Sequence, residues 1–477
     1  MSETPTAPPT PTPATATPAP AKLGRLVLAA YAAPAFAQAF LMGPAISVLQ
    51  GIYAKHFGLS LEQIALVLMI ARVFNGFSDP VIGFLSDAWR ARRGTRKPWL
   101  LAGAVVAVVA CWFLYVPVGA VTTLSFLGWF LLADIGWSMS AVPYAAWMAE
   151  LSGDYGERTR LASWRALGTY LGMGAFFGMP MVAGWFLGSS EFTPETLRWA
   201  AVFAAVALPA TAVAAALVVP NGAAPARRAA NPLAGALRAV TRNRPLLLYL
   251  AMFAIGGLGG GMGWGLVFFY IDGYLGLGSK LSALLVISLP VAILATPVWG
   301  ALCRRFGKQQ VWAAGYAGAG VAVLCYLLIR PGPLAAVWVT ATLLALNALV
   351  VVEPVAGPAV LADIVDYGRW RFGADNGGAY FALYGMISKI NIGIGAAIGL
   401  AIAGAFGFDA RATVQTPSGM RGLMLAYSVL PALSYFVAAA LIWRFPITRR
   451  RQRAIVRAIE RRERGRLAAA GATEVTP

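Results

Sequence analysis

Apolar runs of about 20 residues recur along the chain from residue 25 to residue 445, separated by short polar or basic breaks. As helix, a run of that length spans the roughly 30 Å hydrocarbon core of a bilayer. In lipid every backbone amide must find its partner within its own segment, so each run is predicted to be a helix. Twelve such spans fall near 25–54, 61–88, 98–117, 121–150, 160–188 and 197–219, then 246–275, 281–304, 310–329, 334–366, 377–405 and 420–445. The pattern predicts an all-α polytopic membrane protein with twelve transmembrane helices in two six-helix bundles, residues 25–219 and 246–445. Residues 220–245 are the expected cytoplasmic linker, containing the polar, Pro-bearing stretch APARRAANPLAGALRAVTRNRP (224–245).

The ends read differently. Residues 1–24 are rich in Pro, Thr and Ala, a composition expected to stay disordered. They lack the charged start, apolar core and cleavage site of a signal peptide. Residues 446–477 form a basic tail, with RRRQRAIVRAIERRERGR at 449–466.

Composition agrees with the pattern. Of 477 residues, 59% are hydrophobic and only 12% charged, and the mean hydropathy is +0.69. A soluble chain of this length needs more polar surface to cover its core. The net charge of +19 raises the question of nucleic acid, but its distribution answers otherwise. The bases gather in RARRGTRK (90–97), the linker, RRFGK (304–308) and the tail, all on one side if the spans alternate. That is the positive-inside signal: both termini are expected in the cytoplasm, the basic tail faces anionic lipid headgroups, and no nucleic-acid partner is expected. The three cysteines are scattered without disulfide or metal spacing, and the single histidine, His56, reads as a solvated loop residue. No nucleotide loop, metal cluster or nucleophile–base constellation is present, so neither an enzyme nor a cofactor is expected.

The two halves echo each other. GFLSDAWRARRGTRK (83–97) after span 2 is matched by GALCRRFGKQQ (300–310) after span 8, and DYGERTR (154–160) by DYGRWRFG (366–373) after span 10. Equivalent loops with equivalent chemistry are the mark of a duplicated transporter bundle.

Charges inside the spans point to function, because each costs ~2.5–3.5 kcal/mol or more at a helix centre. On span 2, Arg72, Asn75, Asp79, Gly83 and Ser86 recur at three or four residues and form one polar stripe. Asp79 can take and release a proton, or ligate sodium with oxygens from Asn75 and Ser78. A purely structural Arg72–Asp79 pair is the alternative. Span 4 carries Asp134 with Trp137, Ala141 and Tyr144 on the same side; span 5 carries Trp164 and Arg165, span 10 Glu353, and span 11 Lys389. Acids, bases and aromatic rings converging at mid-depth suit a polyhydroxylated ligand, since charged groups bond hydroxyls and rings stack on sugar C–H faces. At the loops, Asp87, Arg93, Arg96, Asp154, Arg158 and Asp366 are expected to form inter-helix ion pairs of a cytoplasmic gate; plain positive-inside topology accounts for the bases but not for the three aspartates.

These motifs carry a family resemblance. DPVIGFLSDAWRARRGTRKPW (79–99), PYAAWMAELSGDYGERTRLASWR (143–165), LADIVDYGRWRFG (361–373) and GGAYFALYGMISK (377–389) resemble the glycoside–pentoside–hexuronide:cation symporters, of the melibiose permease-like kind, within the major facilitator superfamily. The resemblance touches both halves. It implies the major facilitator fold, alternating access between two bundles, and uptake of a sugar or glycoside driven by a cation. The family's cation segment on span 2 reads here Asn75-Gly76-Phe77-Ser78-Asp79-Pro80, with Asn75 in place of a first acid. Losing one carboxylate favours a proton over sodium as coupling ion. Lys389 and Arg165 match the family's basic residues on spans 11 and 5. On span 1 the family's charged pair is replaced by Gln38-Ala39, and on span 4 its sugar-binding acid by Ala141, leaving Asp134, two turns away on the same face, to serve instead. The implied role is proton-coupled symport, working as a monomer in a bacterial-type inner membrane. A sodium-coupled sugar symporter and a carrier of lysophospholipid or another non-sugar solute remain the alternatives.

Overall fold

The computed structural model describes residues 23–152, 154–222, 240–373, 377–412 and 414–473. Most of the N-terminal tail and of the 220–245 linker therefore lie outside the described residues. Among those described, twelve helices are long and apolar enough to cross a membrane, and no strand occurs. They are α1 (Arg25–Ser47), α2 (Leu61–Arg93), α3 (Lys97–Tyr115), α4 (Thr123–Leu151), α5 (Tyr155–Leu187), α6 (Pro194–Val218), α7 (Arg244–Phe268), α8 (Gly278–Phe306), α9 (Lys308–Leu324), α10 (Ala335–Val350 and Val352–Phe372), α11 (Gly377–Ala405) and α12 (Pro417–Met424 and Leu430–Trp443). The basic tail forms α13 (Arg449–Thr473).

Helix ends follow local chemistry rather than hydropathy. Ser60 and Gln63 form a capping box that starts α2, and Gly94, at φ 76°, ends it in a left-handed turn. Asp154 caps α5 by accepting the Glu157 amide at 2.8 Å. Both helices have 33 residues, roughly 50 Å at 1.5 Å per residue. They outrun the predicted spans because hydropathy stops where lipid stops, whereas a helix stops at its cap. Span 10 is broken at Val351, beside Glu353-Pro354, where the sequence offers a helix break. Pro354 has no N–H to offer the Val350 carbonyl and its ring crowds that position, which separates the two segments. Span 1 is likewise interrupted at Val48, just after Pro44, and resumes as a short helix, Leu49–His56.

Helix packing repeats after six helices. In the first half α1 packs on α5 and α6, α3 on α4 and α6, and α2 on α4; in the second α7 packs on α11 and α12, α9 on α10 and α12, and α8 on α10. The halves meet where α2 packs on α11 and α5 on α8. Two glycine contacts show how closely the equivalent pairs approach. A Cβ on Gly172 of α5 would overlap the Phe36 carbonyl of α1, and one on Gly261 of α7 would overlap the Asn391 carbonyl of α11.

The two ends of the bundle differ. The basic loops and α13 lie at one end, called here the basic end. At the other, Lys55 pairs with Asp272 at 2.7 Å and Arg411 donates to the Ala54 carbonyl at 3.3 Å, joining the halves. Phe268 lies tight against Gly51 at the same end.

Candidate functional site

The polar stripe of α2 meets α4 and α11 in mid-span. Asn75 Nδ2 donates to Asp134 Oδ2 at 3.0 Å, and Arg72 Nη2 lies 3.8 Å from the same oxygen. Asp134 is buried, as is Asn75. One turn along α2, Asp79 Oδ2 accepts a hydrogen bond from Lys389 Nζ of α11. The Lys389 ammonium also lies 3.3 Å from Ser138 Oγ and 4.7 Å from the centre of the Trp137 ring. Spacing explains the assembly. Residues 72, 75 and 79 share one face of α2, and 134, 137 and 138 share the facing side of α4. Two acids and two bases make the cluster electrically neutral, which is how four charges are tolerated at this depth.

A cavity of about 740 Å³ adjoins the cluster between α2 and α11. Arg72, Asn75, Asp79 and Lys389 line its deep part, and Val240 and Ala379 its part towards the basic end. Asn75 Oδ1 and Asp79 Oδ1 are buried without a protein partner, as is Ser78 Oγ next to Asp79 in the chain. Arg72 crosses onto α11, where its side chain fills the space a Cβ on Gly393 would need.

The remaining residues expected at one mid-depth site stand in separate places. Arg165 on α5 faces α1 and α4, with its guanidinium 4.8 Å from the Tyr144 ring centre, and borders a different hollow of about 420 Å³. Tyr144 exchanges hydrogen bonds with Tyr31 through each other's carbonyls. Trp164 packs half-buried against the core of the first half. Gln38 donates to Ser140 at 2.6 Å, tying α1 to α4. Glu353 accepts from the Tyr384 hydroxyl at 2.9 Å inside the second half. A direct Arg72–Asp79 pair, the structural alternative from the sequence, is replaced by Arg72–Asp134: seven residues on one helix are about 10 Å apart, and the acid of α4 is nearer. The residues expected at one site thus stand apart, Arg165 and Trp164 because α5 packs on α1 rather than beside α2.

A family model described as "MFS/sugar transport protein" matches residues 30–449. The chain belongs to this family. Its relatives include the glucuronide carrier protein homolog of Escherichia coli (strain K12), 24% identical over 454 residues, covering 89% of this chain and 93% of the carrier. The isoprimeverose transporter of Lactiplantibacillus pentosus is 23% identical over 395 residues, 81% of each chain. Among solved structures, the nucleoside transporter NupG superposes with a TM-score of 0.67 at 13% identity, covering 89% of this chain and all of that one. Membership in this family of sugar transporters and symporters agrees with the glycoside–pentoside–hexuronide:cation resemblance. It makes the chain a multi-pass membrane transporter rather than an enzyme, with a small-molecule solute and a coupling ion implied.

At the basic end of this transporter the charges have mostly local partners. Arg96 is buried and bonds Glu150 at 2.8 Å, Ser86 at 3.1 Å and Asp87. Arg90 holds the other Glu150 oxygen at 2.9 Å. Arg93 lies over the Trp89 ring, Arg158 donates to the Ser152 carbonyl, and Asp154 is the α5 cap. Asp366 accepts from Gln452 of α13 at 2.8 Å. In the second half Lys308 pairs with Asp363 at 2.8 Å, the counterpart of Arg96 with Glu150. Sequence reading missed both acids. The signal was there: Glu150 and Asp363 stand four and three residues before the two Asp-Tyr-Gly motifs.

Proposed function

We propose that the chain moves a sugar, glycoside or related polyhydroxylated solute across the bilayer in symport with a proton, by alternating access. The observation that carries this reading is the Asp79–Lys389 pair joining the two halves in mid-span, at the head of the cavity. A proton and the Lys389 ammonium compete for one carboxylate. Protonating Asp79 removes the charge that holds Lys389, loosens the α2–α11 contact and frees the ammonium to bond solute hydroxyls beside the Trp137 ring. Returning the proton to water restores the pair. Proton and solute binding thus each change the free energy of the same contact, which is the requirement for coupling.

Sodium is the second reading, favoured by the unpartnered oxygens of Asn75, Ser78 and Asp79. It is disfavoured by charge: sodium wants several oxygens, and the one carboxylate of this set already holds an ammonium. A proton needs a single lone pair. The largely apolar lining that α11 adds to the cavity, with Leu383, Met386 and Ile390, also suits an amphipathic solute such as a lysophospholipid.

The concentration of bases supports a cytoplasmic location for the basic end, and with it for both termini. The cavity extends towards that end while Lys55–Asp272 joins the halves at the other, which supports an inward-facing state in a bacterial cytoplasmic membrane. One chain contributes both walls, so a monomer suffices and no cofactor is called for.

De-energised cells expressing the protein in weakly buffered medium provide the test. Addition of a panel of sugars, glycosides and uronates is expected to make the medium alkaline for at least one solute, and not in Asp79→Asn. Uptake of labelled lysophospholipid with no pH response to any sugar would overturn the sugar assignment; sodium-dependent uptake without alkalinisation would overturn the proton.

A further inference from the structure

Each buried acid described in the molecule has a base; Glu353, like Asp79 and Asp366, is half-buried. Asp134 faces Arg72, Glu150 holds Arg90 and Arg96, Glu157 pairs with Arg160, Asp363 with Lys308, and the half-buried Asp79 with Lys389. Glu353 has none among the described residues. It sits in the first turn after the α10 break, and its partner is a hydroxyl, Tyr384 of α11, at 2.9 Å. The groups around it are rings: Tyr249 from α7, Trp312 and Tyr316 from α9, Tyr384 from α11 and Tyr435 from α12. A Cβ on Gly357 would lie 3.4 Å from Glu353 Oε1, 3.4 Å from the Tyr249 hydroxyl and 3.7 Å from the Trp312 ring, so these groups share one small space. Among the described residues, no lysine, arginine or histidine pairs with Glu353.

A carboxylate enclosed by aromatic rings in a membrane helix, with one neutral donor, is far costlier than the neutral acid. Two further polar groups at the site, the Tyr249 hydroxyl and Trp312 Nε1, are buried without a partner. Tyr384 occupies Oε1. A hydrogen on Oε2 gives the acid a donor to turn towards a neighbouring acceptor, and the Tyr249 oxygen is one at this site.

We infer that Glu353 is a second proton-binding site, in the second half of the molecule, occupied while the Asp79–Lys389 pair is closed. The proton is taken from water and forms an O–H bond at Oε2; no other group changes. The site is distinct from Asp79, and the inference depends neither on the solute nor on coupling at Asp79.

Infrared spectroscopy of the full chain reconstituted in lipid, without solute at neutral pH, tests it. The spectrum of wild type minus Glu353→Gln is expected to show the C=O stretch of a protonated carboxylic acid, and that band is expected to persist in Asp79→Asn. Tyr384→Phe removes the bond to Oε1 and is expected to move the band to higher wavenumber, which keeps the test available if Glu353→Gln does not fold. Carboxylate stretches in place of the acid band in the difference spectrum, or an acid band unmoved by Tyr384→Phe, would overturn the inference.

Discussion

Lys389 and Asp79, 310 positions apart in the chain, meet in mid-span and join the two halves through a hydrogen-bonded ion pair. Each is about one-quarter exposed to the adjoining cavity, so water, a proton and a solute can all reach the pair. The contact is therefore a structural tie that borders the cavity.

Replacing Asp79 by Asn removes the charge but keeps the shape. Concentrative uptake in energised vesicles is expected to fall about tenfold or more, a change worth ~1.4 kcal/mol or greater. Solute exchange down no gradient is expected to survive, because it needs no proton movement. Equal loss of both activities would mean that Asp79 serves solute binding rather than coupling.

The Arg90–Glu150–Arg96 cluster is buried on its acidic side, with Glu150 only 2% exposed at the side chain. Glu150→Gln leaves Arg90 without its acid and Arg96 with the exposed Asp87 alone, a loss of ~3–5 kcal/mol for a buried pair. Asp363→Asn is expected to cost less, because Lys308 is 36% exposed and water can take over. Melting midpoints of the purified variants in detergent should fall in that order, Glu150→Gln lowest; a reversed order would refute this reading.

Gly172 and Gly263 make a matched pair of controls for close helix packing. Gly172→Ala drives a methyl into the α1 backbone, whereas a Cβ on Gly263 meets nothing within 4 Å. Gly172→Ala is expected to abolish folded protein in the membrane fraction. Gly263→Ala should leave the yield unchanged or raise it, since Ala gains up to ~1 kcal/mol in helix propensity. Comparable yields for the two would show that α1 and α5 can move apart at little cost.

The Lys55–Asp272 pair closes the end opposite the basic loops. Asp272→Asn removes a partly exposed pair worth ~1 kcal/mol at most, enough to change a two-state ratio about fivefold. Spin labels on the two halves at that end should show a larger long-distance population in the variant. An unchanged distance distribution would assign the closure to Phe268 against Gly51 instead.

The halves' correspondence was legible in part. DYGERTR and DYGRWRFG revealed the duplication, and the repeat of the main helix contacts after six helices is its structural counterpart. The individual partners were not legible. Arg72 was free to choose between an acid on its own helix and one on α4, and only the packing distance of α2 to α4 decides for Asp134. Glu150 escaped notice because it ends an apolar run, where an acid reads as a loop residue until two arginines from elsewhere are seen to close on it.

By itself the sequence determined that this is a membrane protein of twelve helices, which face carries the polar stripe of α2, and which end carries the bases. Those properties depend on hydropathy, period and net charge, which are sums over neighbours in the chain. Where α10 breaks was also written locally, in Pro354. Only the tertiary structure decided that Asp79 meets Lys389, that Arg165 faces Tyr144 instead of the central cavity, and that Glu353 is left among rings with no base. These are contacts across tens to hundreds of residues, set by which helix packs on which. A change of neighbour costs little in hydropathy and everything in electrostatics, so composition and period carry no trace of it.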